Sequence, residues 1–222
     1  MGLLIAVEGV DGSGSTTHVH RLGCTLSELG LRVHTTREPS NGPFGRILRS
    51  AIDGNLTDEA INWRGISWKT MTLLFAADRA MHVEFEIEPY LREGFVVITD
   101  RYYHSTLAYQ GASAQLVGAG CDVSWIIEVH RFIRRPDLTL VLAPPDAVAA
   151  QRRQYRGKQG LYDADDFQVI VGEMYRKLQE WLPEERIVYV DSSQPEEEVA
   201  RSVLDVVLGV IEEKRKVASQ DL

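Results

Sequence analysis

Cysteine is nearly missing from this chain. Cys24 and Cys121 are the only two in 222 residues, far apart and without CxxC spacing, which leaves neither a disulfide framework nor a cysteine zinc site. Both read as ordinary buried thiols, since free cysteine packs as a small hydrophobe. No apolar run approaches the roughly 20 residues of a membrane span. The amino terminus also lacks a basic region followed by an apolar stretch and a cleavage site, so neither export nor membrane insertion is expected and the expected location is the cytoplasm. Positive charge is in deficit, with 24 basic against 32 acidic residues and a net charge of -8. Such a balance repels polyanions at long range, so nucleic acid is not an expected partner and any phosphate site must rest on a local cluster. The histidines His18, His20, His34, His82, His104 and His130 show no spacing that would join two of them and a carboxylate on one metal; they read as structural or surface residues.

What is present is a periodic alternation. Short apolar runs at 3–7, 95–98, 138–142 and 187–190 have the length and β-branched content of buried strands, and 32–36 reads as a further strand. Between them, helical spacing is read over 15–29, 45–52, 63–91, 126–133, the stretch opening at Pro144-Pro145, 165–181 and the stretch after Pro195. Strands alternating with helices give an α/β fold, a five-stranded parallel sheet with helices on both faces. We expect one domain over residues 1–213 and a polar tail, 214–222, that frays. The basic segment 151–163, with Gly157 and Gly160, is expected to be a mobile loop between two helices.

The chemistry concentrates in a few stretches. Gly9, Val10, Asp11, Gly12, Ser13, Gly14, Ser15, Thr16 and Thr17 follow the first strand and open a helix, the context in which glycine-rich backbone and a helix amino terminus cradle phosphate. Thr16 stands where a hydroxyl meets Mg²⁺, but Ser15 occupies the place of the usual lysine. A plain Gly/Ser turn is the alternative. Asp100-Arg101-Tyr102 sits at the carboxyl end of a buried strand. Ligands of parallel α/β sheets bind at that edge, so Asp100 can hold a metal-bound water and Arg101 a phosphate; a surface turn is the alternative.

Taken together, EGVDGSGSTT at 8–17, TREP at 36–39, FAADR at 75–79, DRY at 100–102, STLAYQG at 105–111 and PDLTLVL at 136–142 resemble the thymidylate kinase family, in the family's order. The resemblance implies a three-layer P-loop nucleoside monophosphate kinase fold. It also implies phosphorylation of dTMP to dTDP with ATP and Mg²⁺, and a homodimer formed through helices remote from the phosphates. On that resemblance Asp11 is similar to the loop carboxylate that reads the sugar 3′-hydroxyl, Glu38 to the acid near the metal and acceptor phosphate, and Phe75 to the ring that stacks on thymine. Arg79 resembles the base-binding arginine and Arg101 the acceptor-phosphate arginine. Thr106, Tyr109 and Gln110 match the segment closing over base and sugar, and Arg46 and Arg49 lie where the family often places another phosphate contact.

The family divides by whether a catalytic arginine sits in the loop or in the lid. Gly12 occupies the loop position, so this chain resembles the lid group, with Arg152, Arg153, Arg156 and Lys158 as candidate cations. A solvated basic loop is the alternative there. Leu161 stands where the family usually has a lid arginine. With Ser15 this makes two missing cations, which keeps open a slowed enzyme, a kinase of another nucleoside monophosphate, or a nucleotide-binding module that kept the pocket and lost the chemistry.

Overall fold

The computed structural model describes residues 2–55, 66–120, 122–156 and 161–220. Its centre is β1 (Leu3–Gly9), where side chains alternate: Leu4 and Ala6 face one way, Leu3, Ile5 and Val7 the other, all buried. Both faces are apolar, so β1 needs cover on both sides and a partner strand at each edge. Together with β2 (Val33–Arg37), β3 (Val96–Asp100), β4 (Leu138–Leu142) and β5 (Ile187–Val190), it forms an all-parallel sheet in the order β2-β3-β1-β4-β5.

One face carries α1 (Ser15–Glu28) and α10 (Glu196–Gln220), whose Val19, Leu22 and Leu26 and whose Val199, Val203, Val207 and Val210 pack on Ile5, Val7, Ile98 and Leu140. The other face carries the larger core. There α3 (Trp68–His82), α5 (Tyr103–Leu116) and α8 (Asp165–Arg176) contribute Met71, Leu107, Ala112, Val171 and Met174 over Leu4, Ala6, Val97 and Val141. α2 (Pro43–Ile52) adds Leu48 to that core. Register places Val7 beside Asp100 and Gly9 beside Leu142, so the carboxyl ends of β1, β3 and β4 open on one edge. Chain order reverses around β1 there, which is where ligands bind in open α/β sheets.

Several elements differ from the sequence reading. The stretch read as helical over 63–91 is helical from Trp68 to Arg92 but not uniform: α3 begins at Trp68, with Ser67 accepting from Thr70 N as its cap, and residues 56–65 lie outside the described residues. Pro89 has no N–H to give the carbonyl four residues back. The turn before it, Val83–Ile87, widens to π geometry, with Glu88 N–H reaching Val83 O, before α4 (Glu88–Arg92). The helix read over 126–133 is α6 (Val123–Val129), begun by an Asp122 cap and ended at His130. The helix read over 165–181 breaks at Lys177 into α8 and α9 (Leu178–Trp181).

The basic segment is a loop only in part, because α7 (Asp146–Arg156) continues through residues 151–156. The polar stretch from 214 continues α10 to Gln220; Lys214 Nζ donates to Gly2 O at 2.9 Å and to Asp137 Oδ1 at 2.7 Å, which ties it to the sheet. Cys24 is exposed on α1 rather than buried, because its helix position faces away from the sheet; Cys121 lies outside the described residues. No described helix is long and apolar enough to cross a membrane.

Candidate active site

The loop after β1 turns on glycines. Gly14 caps α1 in the left-handed region, φ 94°, so the chain enters the helix directly out of the loop. Gly12 also has positive φ, 88°, and a Cβ there would meet Ala149 O of α7 at 2.5 Å. A side chain at position 12 is therefore excluded by the close approach of α7. Two arginines of that helix bond the loop: Arg153 Nη1 donates to Asp11 O at 2.8 Å, and Arg152 Nη1 to Gly12 O at 3.4 Å while its Nη2 reaches Ser192 O at 2.9 Å. Arg153 is also paired with Asp165. Ser15 is the first residue of α1 and is buried. Arg156 belongs to α7, and Lys158 lies outside the described residues.

Thr16 Oγ1 donates to Asp100 Oδ2 at 2.5 Å, bringing the first turn of α1 to the end of β3. The other carboxylate oxygen, Asp100 Oδ1, is buried with no hydrogen-bond partner. An unpartnered buried carboxylate oxygen beside a threonine hydroxyl at a phosphate loop is an all-oxygen donor set that fits a hard divalent cation. Among the described residues no cluster of three His, Cys, Asp or Glu residues could hold a metal; phosphate oxygens would have to complete such a site.

Arg101 takes a left-handed backbone conformation, φ 74°, rare for a residue with a side chain. Its N–H donates to Val7 O at 2.9 Å. Its guanidinium lies between the loop and the cavity beyond: Nη2 meets Asp11 Oδ1 at 2.7 Å, and Nη1 donates to Tyr175 Oη at 2.9 Å and to Gly9 O. Burial works against the Arg101 charge, but the Tyr109 and Tyr175 phenols, Asp11 and Asp100 outweigh it and hold the guanidinium well above its usual range.

Beyond Arg101 lies a cavity of about 180 Å³. It is lined by seven residues singled out in the sequence, Asp11, Glu38, Phe75, Arg79, Arg101, Thr106 and Tyr109, together with Pro39, Ile52, Tyr102, Ser105 and Tyr162. Arg79 Nη2 and Glu38 Oε2 form a buried ion pair at 2.6 Å. Thr106 Oγ1 and Tyr109 Oη are buried without partners. Such groups are costly in a folded protein unless something else satisfies them. Burial pushes the Tyr162 hydroxyl up to about 12 and raises Tyr109 as well, so both stay protonated.

Not every expected residue reaches the cavity. Gln110 sits behind it, with Nε2 donating to Tyr162 Oη at 3.2 Å. Arg49 is committed to the carbonyls of Pro39 and Ser40, and Arg46 to Asn41 O. Leu161 packs partly buried against the core, its N–H donating to Ile52 O at 2.9 Å.

Four residues that hold the site together were missed. Glu8, fully buried, accepts from Tyr102 N at 2.8 Å, Ser105 Oγ at 2.6 Å and Tyr175 Oη at 2.9 Å. Burial alone would raise the Glu8 carboxyl; His104, Arg101 and Ser105 outweigh it and hold it below its usual value. Gln168 clamps Asp11 twice, its Oε1 accepting from Asp11 N and its Nε2 donating to Asp11 Oδ2, both at 2.9 Å. Tyr162 stacks on Phe167, and Tyr175 bridges Glu8 to Arg101. Only Glu8 carried a signal, an acid closing an apolar strand.

A parallel α/β sheet with a phosphate loop at its switch point, an acid beside it with one carboxylate oxygen open and a cavity across an arginine defines a phosphate-loop nucleotide kinase. The family model for thymidylate kinase matches residues 7–203. Similar proteins include a probable thymidylate kinase of Thermococcus gammatolerans, 37% identical over 208 residues, 93% of this chain and 96% of the relative. Another, from Pyrococcus horikoshii, is 41% identical over 193 residues, 86% and 90% of the two chains, and one from Pyrobaculum calidifontis is 38% identical over 208, 92% and 95%. The chain belongs to the thymidylate kinase family, enzymes that phosphorylate dTMP, and the reading as a module without chemistry is not favoured.

Proposed function

We propose that this chain transfers the γ-phosphoryl group of ATP to dTMP in a Mg²⁺-dependent, in-line reaction, with the phosphate loop holding the donor and the cavity holding the acceptor. The observation that carries the reading is Arg101: it lies between loop and cavity, already paired with the loop carboxylate Asp11. An acceptor phosphate that draws Arg101 towards it is held beside the donor site without any covalent intermediate. The loop backbone of residues 9–17 and the amino end of α1 bind the donor phosphates, and Arg152 and Arg153 add charge from α7. Thr16 and Asp100 would hold Mg²⁺, which when bound neutralises charge on the phosphates. Phe75 and Arg79 take the base, while Thr106 and Tyr109 offer unpaired hydroxyls to the nucleotide.

Measuring ADP formation with dTMP, dUMP, dCMP and dGMP tests this directly. We expect turnover to be fastest with dTMP and to require a divalent cation; no turnover with any of the four sinks the kinase reading. Residues 1–213 are read as one kinase domain with a cytoplasmic location. For the homodimer, α2 and α3 pack on each other and present Phe44, Ile47 and Leu73 to the outside. Sedimentation should give twice the chain mass for the native protein, and Leu73→Glu should shift it towards one.

A further inference from the structure

Arg79 is 1% exposed, and its guanidinium is gripped from two sides. Glu38 Oε2 takes Nε at 2.7 Å and Nη2 at 2.6 Å. On the other side Nη1 lies 2.7 Å from Nε2 of His130, which is fully buried at the end of α6. An arginine nitrogen only donates, so His130 Nε2 is the acceptor. His130 Nδ1 lies 2.7 Å from Ile126 O. A carbonyl only accepts, so Nδ1 carries the ring hydrogen. The two contacts together admit one neutral tautomer, and the helix-end carbonyl of Ile126 holds the ring against rotation. Burial, followed by the Arg79 charge, pushes the imidazole down to about 3, which agrees with that neutral form.

Of the five N–H groups of Arg79, one each on Nε, Nη2 and Nη1 are thus committed, leaving one on each terminal nitrogen. Arg79 lines the acceptor cavity together with Phe75. Whatever base edge meets those two groups meets hydrogen-bond donors only, so a carbonyl there is matched and an amino group leaves buried donors unpaired.

We propose that His130 is a positioning residue for acceptor recognition: by accepting from Arg79 Nη1 it fixes the guanidinium so that its remaining N–H groups select a nucleobase with a carbonyl, rather than an amino group, on that edge. The inference rests on the reading of the cavity as the dTMP site. A hydrophobic residue of similar size would fill the same space at the end of α6, but it would leave Arg79 Nη1 buried without its partner and free the guanidinium to turn.

The test is calorimetric titration of dTMP and dCMP into the full chain, with KM for ATP measured alongside. His130→Leu should weaken dTMP binding roughly tenfold or more, the loss of a hydrogen bond to a charged group. It should also narrow the dTMP-over-dCMP preference and leave KM for ATP within about twofold. His130→Gln, whose Oε1 can stand in for the ring Nε2, should recover most of the dTMP affinity and the preference. The proposal is overturned if His130→Leu leaves dTMP binding and the base preference unchanged, if affinity for dTMP and ATP falls equally, or if the glutamine variant is no better than leucine. A native chain that binds no dTMP overturns the functional reading and this inference with it; normal native binding with an indifferent His130→Leu removes this inference alone.

Discussion

Ser15 concentrates the question of how this kinase handles charge. The side chain is short, buried and at the head of α1, so the loop offers phosphate its backbone and helix dipole but no cation of its own. Arg152 and Arg153 already bond the loop carbonyls from α7 and bring positive charge to the loop from outside it. Replacing Arg153 with alanine is expected to lower kcat by about tenfold to a hundredfold, the range for one lost charge-assisted hydrogen bond acting in the transition state. Ser15→Lys should raise kcat over a similar range, and steady-state kinetics with saturating dTMP reads both. Equal rates for the native chain and Ser15→Lys would mean that α7 supplies all the charge the reaction needs. At this scale the cavity residues Asp11, Arg79, Arg101 and Tyr109 were legible because each stands in a short motif, EGVDGSGSTT, FAADR, DRY or STLAYQG. Gln168 and Tyr175 were not, because each acts from a distant helix as the partner of a residue it never neighbours in sequence.

The contact of α7 with the loop depends on one missing side chain. Gly12→Ala would put a Cβ at 2.5 Å from Ala149 O and hold a side chain at φ 88°. The expected cost is about 1–3 kcal/mol of stability for the strained backbone, with a fall in kcat as α7 is pushed off the loop. Thermal denaturation and turnover of the same variant separate the two, and an alanine variant with native melting and native kcat would show that α7 is not held where the fold places it. The ends of elements were less legible than their existence. Apolar spacing of Ile126 and Ile133 reads as one helix, yet α6 stops at His130, whose ring Nδ1 caps Ile126 O. Likewise, α7 extends into the basic stretch as far as Arg156, and its Arg152 and Arg153 find acceptors on the loop, a long-range satisfaction that composition cannot show.

Across the whole molecule, a buried ionic network links the sheet, α5 and the turn before β5. His104 lies between Glu8 and Glu185, with Nε2 at 2.9 Å from Glu185 Oε2 and Nδ1 at 3.7 Å from Glu8 Oε1. Burial alone would lower the His104 pKa, but hydrogen bonds and charges from both glutamates outweigh it, and the folded value lies above 6.5. Its contribution is therefore fully present below pH 6.5 and is lost as pH rises through the raised folded value. Glu8 and Glu185 are lowered, so theirs is present above 4.5 and lost as pH falls through the lowered values. Urea midpoints should accordingly plateau between these limits and fall on either side. His104→Gln should remove the alkaline limb and cost about 3–5 kcal/mol at neutral pH by stranding a buried charge. A native midpoint that does not fall above pH 6.5 counts against the assignment. Truncating Ile5, fully buried at the centre of the sheet, to alanine should cost about 2–5 kcal/mol in the same experiment.

The sequence by itself determined the parallel α/β architecture, because strands alternate with helices and the central runs, β1, β3 and β4, are buried on both faces and must be covered on both sides. It also marked the glycine-rich loop and most of the residues that line the cavity, because they stand in short motifs. Only the tertiary structure decided which polar groups are satisfied and which are left open. Asp100 Oδ1, Thr106 Oγ1 and Tyr109 Oη stay buried without partners, while Arg79, Arg101 and Asp11 are held by Glu38, His130, Tyr175 and Gln168. Hydrogen bonding depends on distances of a few ångströms between residues far apart in the chain, and only packing sets those.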